Sequence, residues 1–325
     1  MPLEFEVPTA ASPPADGLVV ALVNNMPDAA LEATENQFAA LLAAAAGRFR
    51  IRLRPTCLPE VPREPEALQS IAARYWPLES VLDALPDAII VTGAEPRAAT
   101  LEEEPYWRSL VRLLDWTQRY ARSSVWSCLA AHAAVQALDG IRRRRLPRKR
   151  FGVFEHDRTA DVPLLAKVDA PLATPHSRWN ELSVAELRAA GYTIASASPE
   201  NGVDVFVRQD RGLLVGFQGH PEYEPATLLK EYRRDVARYL RGDCADWPSM
   251  PSGYFSGEAL EMLRAFRQRA EPARDPDLLE HFPMRTLAAG LQARWRPAAT
   301  QIYRNWIEYL AGTRTGAHSR RRVQV

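Results

Sequence analysis

Short apolar runs alternate with segments of helical character through the first part of the chain. Apolar or β-branched runs of strand length occupy residues 18–23, 49–53, 88–91 and 124–127. Segments that are rich in alanine, or whose apolar residues repeat at helical spacing, occupy residues 34–45, 106–119 and 129–138. Continuous apolar strands are typical of parallel sheets that are covered on both faces. The alternation therefore predicts an α/β fold, a doubly wound and mostly parallel sheet flanked by helices.

The pattern continues less regularly towards the C-terminus. Further strands are predicted around residues 192–196, 203–208 and 213–217, and helices over residues 225–240 and 300–310. Residues between them, 241–290, are rich in proline and loosely patterned. We expect four parts: an extended arm (1–17), a main α/β domain (18–240), an extension that packs on the same domain (241–312) and a disordered tail (313–325).

Composition narrows the class of protein. Of the 325 residues, 46% are hydrophobic and 25% charged, which is typical of a soluble globular protein. The 41 basic and 40 acidic residues nearly cancel, so no overall field would attract nucleic acid or an anionic membrane. No apolar stretch is long enough to span a membrane, and the N-terminus lacks the features of a signal peptide, so we expect a cytoplasmic protein.

Charge is uneven along the chain, however. Residues 142–150 (RRRRLPRKR) form the one dense basic run. Two interpretations stay open for it: a solvated loop, or a site for anionic groups such as nucleotide phosphates.

The cysteines and histidines do not suggest a metal site. Cys57, Cys128 and Cys244 are the three cysteines, and neither they nor the six histidines have the spacing of metal ligands or of a disulfide framework. We therefore predict no metal and at most one chemically important cysteine.

That cysteine is Cys128, which stands between a predicted strand and an alanine-rich predicted helix. A tight turn there points the side chain out at the carboxyl edge of the sheet, where backbone N–H groups face the same point. The N-terminal end of a helix favours the thiolate, which is the nucleophilic form. A buried and inert cysteine is the alternative interpretation.

A histidine and a carboxylate follow a distant strand. His220 and Glu222 come directly after the predicted strand at 213–217, and Gly219 leaves room for the backbone there. An imidazole can take the proton of a thiol, and a carboxylate can fix the tautomer of that imidazole. A structural histidine followed by a solvent-facing glutamate is the alternative. Together with Cys128, the two residues favour a Cys–His–Glu triad.

Several motifs in order resemble the homoserine O-succinyltransferase family, whose fold is that of the class I glutamine amidotransferases. They cover roughly residues 18–310, and they are NMP with TENQ, VTGA with YW, CLAAHAA, FGVFEH, PHSR, GHPEY, EYRRD and NW. The resemblance implies a ping-pong reaction in which a cysteine takes an acyl group from an acyl-CoA and passes it to the hydroxyl of an amino acid. It implies that Cys128 is the nucleophile, His220 the base and Glu222 the acid that orients the base.

The same resemblance implies roles for other residues. Lys149, Ser177 and Arg234 match positions that hold the substrates, and a guanidinium suits the carboxylate of an amino acid. We expect the backbone N–H groups of Ala94 and Leu129 to form the oxyanion hole. Acyl-CoA is then a co-substrate, and no bound cofactor is expected.

The sequence departs from the family around the expected pocket. Residues 28–33 lack the lysine that is usual there, Leu129 replaces a common tryptophan, and His132 replaces the usual glutamine. Arg97 stands where a Gly or Glu is linked to the choice between acetyl and succinyl donors. An arginine could bind the distal carboxylate of a succinyl group, or it could point away.

Alternatives therefore remain at the level of the sequence. The leading hypothesis is acyl transfer from succinyl-CoA or acetyl-CoA to L-homoserine, early in methionine synthesis. L-Serine or a specialised metabolite is an alternative acceptor, a glutamine amidotransferase-like hydrolase is an alternative enzyme, and a non-enzymatic binding module is the last alternative. The sequence implies small-molecule partners, and it leaves a homodimer open.

Overall fold

The structure, a computed structural model, describes residues 3–8 and 17–321, with side chains as far as residue 313. Within these residues, ten strands form one sheet in the order β1-β3-β2-β4-β5-β10-β9-β8-β6-β7. The strands are β1 (Leu3–Phe5), β2 (Leu18–Val23), β3 (Ile51–Thr56), β4 (Ala88–Val91), β5 (Ser123–Ser127), β6 (Arg144–Arg158), β7 (Leu172–Glu181), β8 (Thr193–Ser198), β9 (Gly202–Gln209) and β10 (Leu213–Phe217).

The sheet has a parallel half and an antiparallel half. Strands β1, β3, β2, β4, β5 and β10 run parallel to their neighbours. Strands β9, β8, β6 and β7 complete the sheet in antiparallel pairs. The parallel strands are almost wholly buried, as their continuous apolar runs predicted. The expected bounds of β2, β4 and β10 are confirmed to the residue.

Helices cover both faces of this sheet. They are α1 (Leu31–Ala45), α2 (Pro65–Arg74), α3 (Leu78–Asp83), α4 (Trp107–Tyr120), α5 (Leu129–Asp139), α6 (Val184–Ala189), α7 (Thr227–Leu240), α8 (Gly257–Ala273), α9 (Met284–Ala289) and α10 (Arg296–Arg321). One apolar core lies between the sheet and α1 with α10, and a second lies between the sheet and α3, α4 and α5. The doubly wound α/β fold is therefore confirmed. No helix in the described part of the chain is both long and apolar enough to cross a membrane.

A third core lies beyond the sheet and involves the C-terminal segment. Helix α8 buries Leu263 and Phe266 against Tyr232 of α7, and Trp295 completes this cluster. The sequence analysis found only a loose pattern over residues 241–290. The sequence analysis did not predict helices α8 and α9, because few of their residues are buried. In α8 the buried residues are separated by charged ones.

The hairpin formed by β6 and β7 was not predicted either. The basic run at 142–150 lies mostly on β6 and is therefore not a loop. Most of its side chains are exposed or half-buried, so the run lacks the alternation that identifies a strand with one buried face.

Both chain ends differ in part from the expectation. Residues Leu3–Phe5 of the expected arm pair with β3 as an edge strand, and residues 9–16 lie outside the described residues. Helix α10 continues to Arg321 through most of the expected disordered tail, and the Thr313 hydroxyl donates to main-chain carbonyls of its preceding turn. Residues 322–325 lie outside the described residues.

Candidate active site

Cys128 occupies a strained turn between β5 and α5. Its φ of 52° and ψ of −112° are unusual for a residue with a side chain. Such a conformation costs on the order of 1–3 kcal/mol and persists only where neighbouring structure imposes it. Here the Cys128 N–H donates to the carbonyl of Phe217 on β10 at 2.7 Å, and the Cys128 carbonyl accepts from Ala131 of α5 at 3.0 Å. The turn therefore presents the thiol at the carboxyl edge of the sheet, at the N-terminus of α5.

His220 follows β10 at the same edge and is almost fully buried. Its Nδ1 lies 2.8 Å from Oε1 of Glu222, whose carboxylate can only accept, so Nδ1 carries the proton and Nε2 is left for the thiol. Burial alone would lower the pKa of His220. The negative charges of Glu222 and Cys128, together with hydrogen bonds from the imidazole to both side chains, outweigh burial and raise that pKa well above its usual value. The arrangement thus favours the protonated, imidazolium form of His220.

Tyr223 and α10 hold this histidine loop in place. The Tyr223 ring stacks on the imidazole with centroids 4.3 Å apart and planes 17° from parallel. The Trp295 indole N–H donates to the Tyr223 carbonyl at 2.9 Å, and the Arg296 guanidinium donates to the same oxygen at 3.0 Å. The C-terminal segment, in which the sequence analysis found no functional signal, therefore supports the loop of His220.

Two buried side chains, those of His132 and Asp204, hold the segment between β10 and His220. His132 of α5 lies with Nε2 3.0 Å from Oε1 of Gln218, and the Gln218 amide donates to the carbonyl of Val203 at 2.7 Å. The Gly219 N–H donates to Oδ1 of Asp204 at 3.1 Å. Because His132 lies on α5, the helix that begins directly after Cys128, the first contact links the helix behind the nucleophile to the strand that precedes the base.

The expected oxyanion donors lie side by side at this edge. Gly93, at the end of β4, has no room for a side chain: an added Cβ would lie 2.8 Å from the Leu129 Cβ and 3.3 Å from its nitrogen. Ala94 and Leu129 line the same small cleft, with Tyr106 across it. The oxyanion hole remains a prediction, and the geometry is compatible with it.

Lys149, Ser177 and Arg234 gather around two carboxylates of α7. The Ser177 hydroxyl donates to Oε2 of Glu231 at 2.5 Å. The Lys149 ammonium lies 2.9 Å from Oδ2 of Asp235, and the Arg234 guanidinium lies 3.1 Å from Oδ1 of the same residue. Three of the four expected substrate-binding residues therefore belong to one charged cluster.

Glu231 connects this cluster to the triad, a role that the sequence analysis missed. Its Oε1 accepts from the hydroxyl of Tyr223 at 2.6 Å, and Tyr223 stacks on His220. The available signal was spacing, because Glu231, Arg234 and Asp235 stand at positions i, i+3 and i+4 of one helix and so share a face.

Arg97 is the one expected substrate-binding residue that stands apart. It is exposed. Among the described residues, no hydrogen bond or ion pair joins its side chain to another group. Its main-chain N–H donates to Oε1 of Glu104 at 2.6 Å, as does that of Ala98 at 2.8 Å. The structure thus gives Arg97 a place in a capped loop.

A buried cluster behind His220 contains the residue types of a metal site, but its hydrogen bonds do not suit metal binding. His156, His176 and Asp204 offer nitrogen and oxygen atoms within 4.8 Å of one another, which their sequence spacing could not reveal. However, the Arg178 guanidinium donates to Nδ1 of His176 at 3.2 Å, so the proton of that neutral imidazole is on Nε2, facing Asp204 at 3.5 Å. A protonated nitrogen cannot ligate a metal. Both ring nitrogens of His156 have no hydrogen-bond partner among the described residues, so the cluster is a group of buried polar side chains that are only partly paired.

Comparison with known proteins agrees with this geometry. A sequence profile described as "HTS: Homoserine O-succinyltransferase" matches residues 6–317. The homoserine O-succinyltransferase of Rhodopseudomonas palustris is 47% identical over 292 residues, which cover 90% of this chain and 88% of that protein. That of Bradyrhizobium japonicum is 47% identical over 296 residues, 90% of each chain.

Among solved structures, a glutamine amidotransferase from Methylobacillus flagellatus has the same fold. Its TM-score is 0.51 at 16% identity, and the match covers 90% of this chain and 95% of that one. The expected class I glutamine amidotransferase-like fold is therefore confirmed. Because the profile and both relatives match most of the length, the chain belongs to the homoserine O-succinyltransferase family.

Proposed function

We propose that this protein transfers an acyl group from an acyl-CoA to the hydroxyl of L-homoserine through an acyl-enzyme on Cys128. The observation that carries the proposal is the strained turn that presents Cys128 beside a buried His220–Glu222 pair, in a chain of this family. The reaction belongs to methionine biosynthesis, and we place it in the cytoplasm.

The first half-reaction uses the thiolate and the imidazolium together. The Cys128 sulfur attacks the thioester carbonyl, and the N–H groups of Ala94 and Leu129 stabilise the oxyanion that forms. As the carbon–sulfur bond to CoA breaks, His220 gives its Nε2 proton to the departing thiolate. The enzyme then carries an acyl-cysteine and a neutral imidazole whose tautomer is fixed by Glu222.

The second half-reaction reverses these roles on the acceptor. Neutral His220 takes the hydroxyl proton of homoserine while the hydroxyl oxygen attacks the acyl-cysteine. Cys128 leaves as a thiolate, and the imidazolium is restored. The raised pKa of His220 suits both steps, because it makes the neutral imidazole a strong base and stabilises the imidazolium that follows.

The charged cluster on α7 supplies the acceptor site. An amino acid presents one carboxylate and one ammonium group, and the cluster offers Arg234 with Lys149 for the first and Glu231 with Asp235 for the second. Glu231 also contacts Tyr223, which stacks on His220, so an acceptor bound there lies close to the base. L-Serine has the same two charged groups, and only the position of its hydroxyl differs.

The test measures the release of CoA and detects the acyl adduct on the enzyme. Purified protein is incubated with succinyl-CoA or acetyl-CoA, with and without L-homoserine or L-serine, while free thiol is measured. Mass spectrometry then looks for the acyl group on the peptide that holds Cys128. We expect homoserine-dependent CoA release and an adduct on Cys128 when homoserine is omitted.

Two variants sharpen the result. Cys128→Ala should lose both the adduct and turnover, whereas Cys244→Ala, a free cysteine that is exposed, should retain them. Glutamine hydrolysis without acyl transfer would identify an amidotransferase-like hydrolase instead. Turnover by Cys128→Ala would disprove the acyl-enzyme.

A further inference from the structure

Among the four arginines of residues 142–145, Arg143 is the one with a guanidinium nitrogen that is buried and has no hydrogen-bond partner in the described part of the chain. Its NH1 is buried and has no hydrogen-bond partner among the described residues. Its neighbours are more exposed and are partnered: Arg142 lies 3.8 Å from Glu102, Arg144 lies 2.9 Å from Glu186, and Arg145 lies over the Trp179 ring. The run at 142–150 is therefore not uniform, because one guanidinium faces inward.

The segment that carries Arg143 lies against the loop that precedes Tyr106, because the Arg142 guanidinium is 3.8 Å from Glu102. The Arg143 guanidinium is within electrostatic range of Cys128, Tyr106 and Glu104, and burial lowers its pKa although these three groups oppose the effect. Ile141, two residues earlier, packs in the same core as Tyr106 and Leu101, so the segment is fixed against that region.

Tyr106 is the second unpartnered polar group at this place. Its side chain is 3% exposed, and its hydroxyl has no hydrogen-bond partner in the described part of the chain. It lines the cleft that Ala94 and Leu129 also line, the two residues whose N–H groups we expect to form the oxyanion hole. Within the described residues, a hydroxyl without a partner thus lines the cleft, and a charged donor without a partner belongs to the segment that lies against the loop before Tyr106.

Such groups are costly unless a ligand satisfies them. An unsatisfied buried donor costs about 1–3 kcal/mol, and more when it is charged. Glu104 does not satisfy Arg143: no ion pair within the usual distance joins them in the described structure, and Glu104 already accepts two main-chain N–H groups from residues 97 and 98. An anionic ligand with a carboxylate or phosphate group is the natural partner of a free guanidinium.

We propose that Arg143, assisted by the Tyr106 hydroxyl, binds the distal carboxylate of a dicarboxylic acyl donor and so selects succinyl-CoA over acetyl-CoA. This inference rests on the proposed acyl transfer. In a succinyl group the second carboxylate is three bonds from the carbon that Cys128 attacks, so its partner must lie beside the nucleophile. Arg143 is within electrostatic range of Cys128, whereas the exposed side chain of Arg97 has no contact among the described residues that would place it there.

The experiment compares two donors across matched variants. We measure kcat/KM for succinyl-CoA and for acetyl-CoA, with homoserine as acceptor, in the wild type, Arg143→Met, Arg143→Lys and Tyr106→Phe. Arg142→Met is the control, because it removes a neighbouring, largely exposed guanidinium of the same run.

We expect the wild type to prefer succinyl-CoA. Arg143→Met should lower kcat/KM for succinyl-CoA by about 10- to 100-fold, as the loss of a charged hydrogen bond implies, and leave acetyl-CoA within about threefold. Arg143→Lys should lose less, because it retains the charge but not the bidentate fork. Tyr106→Phe should lose several-fold for succinyl-CoA, and Arg142→Met should match the wild type.

Other outcomes are distinguishable. Equal losses for both donors in Arg143→Met would place Arg143 on CoA or in the chemistry and overturn the proposal. A wild type that prefers acetyl-CoA would overturn it while leaving acyl transfer intact, whereas no CoA release with either donor would refute acyl transfer itself. If Arg143→Met does not fold, the donor ratios of Arg143→Lys and Tyr106→Phe decide: an unchanged ratio in both overturns the proposal.

Discussion

Replacing Glu222 by glutamine should separate the charge of the triad carboxylate from its shape. Glutamine can still accept from Nδ1 of His220, so the loop geometry should survive. The loss is electrostatic: Glu222 is 4% exposed, and its Oε1 lies 2.8 Å from the imidazole. Opposite charges about 4 Å apart interact by about 4 kcal/mol at an effective dielectric constant of about 20. The loss of this attraction should therefore lower the pKa of His220.

The sign of the pH effect follows from that fall. In the wild type the imidazolium persists up to the raised pKa of His220, and CoA departure requires its proton. Without the charge of Glu222, burial is opposed by less negative charge, so the imidazolium is lost at lower pH. The alkaline limb of kcat/KM should move to lower pH, and kcat should fall by about 10²- to 10⁴-fold, with little change in KM.

The assay is a pH profile of CoA release, together with the pH dependence of iodoacetamide alkylation at Cys128. Glu224→Gln is a suitable control, because this neighbouring glutamate of the same loop is half-buried and does not contact His220. If Glu222→Gln kept kcat within about threefold and left the alkaline limb in place, the carboxylate would not be the source of the raised pKa, and the electrostatic reasoning would be wrong.

Three further predictions concern the groups around the triad. In Gly219→Ala the new Cβ would lie 2.5 Å from Thr174 Cγ2, so we expect about 1–3 kcal/mol lower stability in urea unfolding and lower kcat, whereas Gly257→Ala, with open space, should be near neutral. Glu231→Gln should raise the KM for homoserine about tenfold while the rate of acyl-enzyme formation stays unchanged in single-turnover measurements. His132→Ala should cost about 1–3 kcal/mol and lower kcat, and His132→Gln, which can still donate to Gln218, should restore most of both.

The parallel half of the sheet could be predicted because its strands are buried on both faces. A continuous run such as Leu18–Val23 can be satisfied only in the interior of a covered sheet, so the pattern and the fold correspond directly. The position of Cys128 could be predicted from the same pattern. Where a buried strand leads directly into a helix, the residue between them lies in the turn at the carboxyl edge of the sheet. These predictions rest on local chemistry and on the rule that parallel strands share one carboxyl edge.

The hairpin and the C-terminal helices could not be predicted in this way. Arg144–Arg158 pairs with β7 and, at its end, with β8, apart from residues 146–149. Much of the strand is polar on both faces, so its strand character comes from backbone pairing and not from burial. Helix α8 is stabilised by a small core to which residues of several other elements contribute, those of α7 most often. In both cases contacts with other elements determine the secondary structure. The pattern of residues within the segment does not reveal those contacts.

The same limit applies to the residue that selects the acyl donor, which stays a prediction. The comparison with the family's motifs singled out Arg97, because it stands at the position that is linked to donor choice in the family. Burial distinguishes the two arginines: the Arg97 side chain is exposed, whereas Arg143 has a buried guanidinium nitrogen without a hydrogen-bond partner among the described residues. A charge acts on a substrate most strongly where water is excluded from it, and exclusion depends on how residues such as Ile141 and Tyr106 pack. Selectivity for an acyl group is in this sense a property of the packed core next to the nucleophile, and changes in that packing should alter donor choice even when every catalytic side chain is retained.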